Sequence, residues 1–138
     1  TNKMREVQDA GSKVQAVVNF FGPADLNGPY PQAVQGLLID FIGGAIDDKR
    51  DVIRQASPVT YLDADDAPIL TFHGTEDPIV PYEQAKILDQ GCKQAMLEHQ
   101  LCTIDRGGHG WGGEQLLDSL EQSIAFFKKT LAVPAAKP

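Results

Sequence analysis

The sequence predicts an α/β fold: a doubly wound, mostly parallel sheet, about three strands of it in this chain, with flanking helices. Three observations carry that expectation. Val14–Phe21 and Ile69–His73 are almost unbroken apolar runs, the pattern of strands covered on both faces. Amphipathic stretches of helical period stand between and after them. The strands run into loops punctuated by Gly, Pro, Asn or Asp, as a β-α-β alternation requires. Of the 138 residues, 42% are apolar, enough for the core of one domain. Residues 1–132 are read as that domain and 133–138 as a tail.

Taken in order, Thr1–Lys13 is polar and without a clear period, and reads as a frayed helix end closed by Gly11-Ser12. The chain opens on Thr rather than Met, which leaves open a processed, a cut or an excerpted chain. Val14–Phe21 is composed like a central strand. At a sheet edge it would be an aggregation hazard, so a neighbour is expected on each side. Gly22–Tyr30 is a loop. In Gln32–Ile42, the residues Val34, Leu37, Leu38, Phe41 and Ile42 form the stripe of a packed helix, which Gly43-Gly44 ends. Asp47–Gln55 reads as a second, short helix. Ser57-Pro58 stops it, because a residue before proline disfavours the helical region. This segment is longer than a plain crossover and is expected to be an excursion over a site. Asp63-Ala64-Asp65-Asp66 is a solvated turn into the strand Ile69–His73. Pro81–Ala95 follows as a helix, with Ile87, Leu88, Cys92 and Ala95 inward, and Glu98–Ile104 as a third strand. Glu114–Leu131 is the last helix, expected to bury Leu116, Leu117, Leu120, Ile124, Phe127 and Leu131.

Composition narrows the function. A net charge of -7 argues against nucleic-acid binding, and no apolar run approaches the roughly 20 residues of a membrane span. In open α/β sheets, functional groups gather in the loops at the carboxyl ends of strands. Two such loops carry Asp77, in His73-Gly74-Thr75-Glu76-Asp77-Pro78, and His109, in Gly107-Gly108-His109-Gly110-Trp111. An acid that orients an imidazole, and an imidazole that takes and returns a proton, form two thirds of a nucleophilic relay. His73 ends a strand before a turn and reads as structural. His99 opens a strand and is expected to be solvated. The three histidines lack ligand spacing, so no metal is expected, and no cofactor. Cys92 and Cys102 lie in apolar patterns and read as two buried thiols, with a disulfide between them as the alternative, rather than as nucleophiles. A relay also needs a nucleophile. Ser12, Ser57, Ser119 and Ser123 are the serines, and none stands in a G-x-S-x-G context.

Five phrases in order resemble the C-terminal part of an α/β-hydrolase of the esterase/lipase group, near its carbohydrate-esterase-like and feruloyl-esterase-like members. They are Val14–Leu26, Ile42-Gly43-Gly44, Ala56–Tyr61, His73–Pro81 and Gly107–Trp111, and the likeness spans about Val14–Leu131. The resemblance implies that Val14–Phe21, Ile69–His73 and Glu98–Ile104 are the last three strands of eight. It makes Asp77 the triad acid and His109 the triad base, in the order that such enzymes use, and places Trp111 on the substrate side. The implied reaction is hydrolysis of a small ester through a serine ester. The nucleophile and oxyanion donors would belong to an N-terminal portion of the same enzyme, which becomes the expected partner; this chain alone is expected to be inactive. Two alternatives stay open: a truncated, non-catalytic module that self-associates as a homo-oligomer, and a peptidase of the prolyl-oligopeptidase type.

Overall fold

A computed structural model shows the central strand of a three-stranded parallel sheet at Ile69–Gly74, here β2. β1 (Val17–Phe20) lies on one side of it and β3 (His99–Ile104) on the other. Residues 13–131 are described. The frayed helix expected before Lys13 and the tail expected at 133–138 fall outside them. The register pairs Phe20 with Phe72, and Phe72 with Cys102. Between β1 and β2 run helix α1 (Gln32–Ile42), a 3-10 turn at Ile46–Lys49, helix α2 (Arg50–Ala56) and a second 3-10 turn at Pro58–Tyr61. Helix α3 (Glu83–Ala95) links β2 to β3, and helix α4 (Gly113–Thr130) follows β3.

Alternation along the strands gives the sheet two different faces. Val18, Phe20, Leu70, Phe72, Cys102 and Ile104 pack with Trp111 and Phe126, on the α4 side. On the other face Ile69 packs with Leu88, Cys92 and Leu97, under α3. Helices on both faces make the sheet doubly wound, as predicted. The excursion keeps a small core of its own around Leu26, Ile42 and Ile53. Ser57 anchors it: its hydroxyl donates to Ile53 O and accepts from Leu26 N.

Three expectations need correction. The apolar stripe of α4 is not buried: Leu116, Leu117, Leu120, Ile124 and Phe127, with Leu131 at its C-cap, are 36–62% exposed. Small residues, Ser119 and Ser123, turn inward instead, their hydroxyls satisfied by the carbonyls one turn back. Amphipathicity marked the stripe correctly, but among the described residues nothing lies over it. Leu37 and Phe41 of α1 are likewise exposed, at 65% and 71%. The second correction concerns β1. It is shorter than the run Val14–Phe21; among the described residues it pairs only with β2, and the second neighbour expected beside it is not one of them. Phe21 turns into the left-handed region at φ 46° and ends it. The third is His99. Its side chain is 2% exposed, because it lies between Asp89 on α3 and Thr71 on β2, 3.0 Å from each.

Candidate active site

The loops after β2 and β3 are zipped together. Thr75 N donates to Ile104 O and Glu76 N to Gly107 O. Arg106 N donates to Thr75 Oγ1. This approach needs Gly74: a Cβ there would stand 2.2 Å from Gly107 O and 2.5 Å from Gly108 O, distances no side chain tolerates. The zipper sets the loop carrying Asp77 against the loop carrying His109.

Asp77 is held by its own turn. Oδ1 accepts the backbone N–H groups of Ile79 and Val80 at 2.8 and 2.9 Å, an Asx turn that fixes the carboxylate plane. Oδ2 then faces His109, whose Nδ1 is 2.9 Å away. The Asp77 side chain is fully buried and that of His109 is 31% exposed. A carboxylate accepts, so Nδ1 donates, and in the neutral ring Nε2 is the nitrogen that carries the lone pair. Two residues expected to pair from opposite loops are thus hydrogen-bonded.

Other rings fix the imidazole. Phe21 lies 4.4 Å from the His109 ring centre, tilted by 49°. It meets Trp111 edge-on at 5.6 Å. Sequence reasoning did not single out Phe21, because nothing in an apolar run announces that its last residue will adopt positive φ. Trp111 is half-buried, stacked on Phe20 at 5.8 Å, and its indole N–H donates to Ser119 Oγ. His73 is fully buried, with Nε2 2.8 Å from Val80 O.

The remaining candidates fall elsewhere. Asp63, Asp65 and Asp66 form an exposed turn closed by their own carboxylates. Cys92 is buried and Cys102 half-buried, both as free thiols, and burial pushes both thiols up from their ordinary value. Among the described residues no cluster of His, Cys, Asp and Glu could hold a metal ion, and no helix is long and apolar enough to cross a membrane. Among the described residues no serine is hydrogen-bonded to His109. The hydroxyls of Ser57, Ser119 and Ser123 each donate to a backbone carbonyl four residues back.

Comparison with known proteins agrees with this architecture. The BD-FAE family matches residues 1–91 and the TAP-like protein family residues 48–135. The chain belongs to the α/β-hydrolases, with esterase-like relatives. "Probable carboxylic ester hydrolase LipM" of Mycobacterium tuberculosis is 30% identical over 90 residues, covering 57% of this chain and 19% of LipM. A truncated carbohydrate esterase from gut microbiota superposes with TM-score 0.73 at 27% identity, over 88% of this chain and 45% of its own. A puromycin-hydrolyzing peptidase of M. tuberculosis shares the fold, at TM-score 0.77 and 23% identity, over 87% of this chain and 19% of its own. The chain therefore spans less than half the length of each.

Proposed function

We propose that this chain supplies the acid and the base of a serine carboxylester hydrolase, Asp77 and His109, to a nucleophile carried on an N-terminal portion of the same enzyme. Residues 1–132 and that portion together form one hydrolase domain. The 2.9 Å bond between His109 Nδ1 and a carboxylate locked by two backbone N–H groups carries the reading. In the reaction, His109 Nε2 takes the proton of the serine hydroxyl as its oxygen attacks the ester carbonyl, then returns it to the leaving alcohol. Water repeats the exchange to free the acid. Asp77 stabilises the imidazolium that forms and keeps the tautomer. Trp111, two residues past the base, borders the substrate with the part of its ring left open. An ester substrate is favoured over a peptide because the 30% and 27% identical relatives are named as ester hydrolase and carbohydrate esterase. Purified alone, the chain turns over p-nitrophenyl acetate no faster than background. Turnover that a serine-directed phosphonate abolishes would refute the division of roles.

A further inference from the structure

Two imidazoles converge on one carboxylate oxygen. Nε2 of His73 lies 3.5 Å from Oδ2 of Asp77, and both side chains are fully buried. Oδ2 is also the atom that receives His109 Nδ1. The same His73 Nε2 is 2.8 Å from Val80 O. A carbonyl only accepts, so Nε2 carries the hydrogen. Nδ1 of His73 is left as a lone pair sealed from solvent, with no donor among the described residues. A residue needed only to fill space would be better served by Phe or Leu, which bury no unpartnered acceptor.

We propose that His73 is a positioning residue for the acid–base pair, and this rests on the reading of Asp77 and His109 above. Its N–H pins Val80 O, while Val80 N donates to Asp77 Oδ1. One peptide residue is thus tethered on both sides, and the turn that orients the carboxylate cannot rock away from His109. The same N–H stands beside Oδ2 as a second source of positive potential. His73 touches neither substrate nor the reacting atoms and acts only through Asp77. The edge of Tyr82, 5.9 Å from the imidazole centre, closes the remaining side.

The test uses the complete hydrolase, this chain joined to its N-terminal portion. His73→Phe removes the donor and keeps a ring. It lowers kcat by about ten- to hundredfold, the size typical of such supporting partners, and leaves KM within about twofold. His73→Gln places an N–H near Nε2 and recovers most of the rate. In an Asp77→Asn background, His73→Phe costs less than about twofold, because what it positions is already lost. A kcat within about twofold of the parent for His73→Phe, no recovery in His73→Gln, or an equal fold-loss in both backgrounds would overturn the proposal. If His73→Phe does not fold, histidine-selective 15N NMR of the unsubstituted chain decides: the Nε2–H tautomer is expected, and the Nδ1–H tautomer contradicts it. His109→Ala separates the two readings. Full rate in that variant sinks the acid–base assignment itself, whereas a large loss there with an unaffected His73→Phe sinks this inference alone.

Discussion

The corner that holds Asp77 and His109 and the flank formed by β1 and the outer side of α4 are built to opposite standards. At the corner, Asp77 accepts from two backbone amides and one imidazole, and the two loops are joined by three further hydrogen bonds. At the flank, β1 leaves a strand edge unpaired among the described residues, and five large apolar side chains of α4, with Leu131 just after it, are exposed. Burying one such side chain stabilises by roughly 1.5–3 kcal/mol. The contrast separates two kinds of surface: Asp77 and His109 need nothing more to pair, while among the described residues nothing covers the apolar flank beside them.

The largest way to break that comparison is to spoil the flank and leave the corner alone. Leu117→Glu with Leu120→Glu places charges at positions that are 62% and 45% exposed. In the chain by itself the pair changes unfolding free energy by only about 0.5 kcal/mol per site. Association with the N-terminal portion, read by light scattering, is lost. Unchanged association would show that the stripe is not the covered surface, and self-association of the unsubstituted chain would point to a second copy as the cover.

A smaller effect sharpens the comparison from the closed face. Under α3, Asp89 contacts His99 and Lys93, and His99 reaches Thr71, which receives Asn19 Nδ2. Burial raises the Asp89 carboxyl, but hydrogen bonds from Lys93 and His99 outweigh it and leave the group below its ordinary value. A carboxylate lowered in the folded state stabilises that state above its unfolded value, and the contribution fades as pH falls through the folded one. Asp89→Asn should therefore lower stability near neutral pH, with the gap to the parent closing as pH drops below the ordinary carboxylate range. Thermal melts at several pH values check this, and a gap independent of pH would contradict it.

The sequence made the corner legible and the flank only half so. Asp77 and His109 could be paired because both end up in loops at strand ends, one strand apart, where local Gly and Pro fix the turn. The leucines of α4 were equally visible, but amphipathic spacing says only that a face is apolar, not that this chain covers it. His99 was misread because opening a strand says nothing about what packs opposite. The residues that bind it are ten positions earlier on α3 and on the neighbouring strand β2, and Asp89 four residues before Lys93 was the one local sign of a charged cluster there. Gly74 drew no notice as a packing residue, since a glycine after a strand reads as a turn. Its need arises from the approach of Gly107, 33 positions away, which no local pattern encodes.

The proposed division of labour is tested most directly by p-nitrophenyl acetate turnover of this chain joined to the proposed N-terminal portion, with and without His109→Ala. Turnover should appear in the joined protein, stop when a phosphonate labels a serine of the N-terminal portion, and fall by about 10⁴-fold or more in His109→Ala, with the thermal melt unchanged. A joined protein that hydrolyses the ester at full rate without His109 would contradict the account.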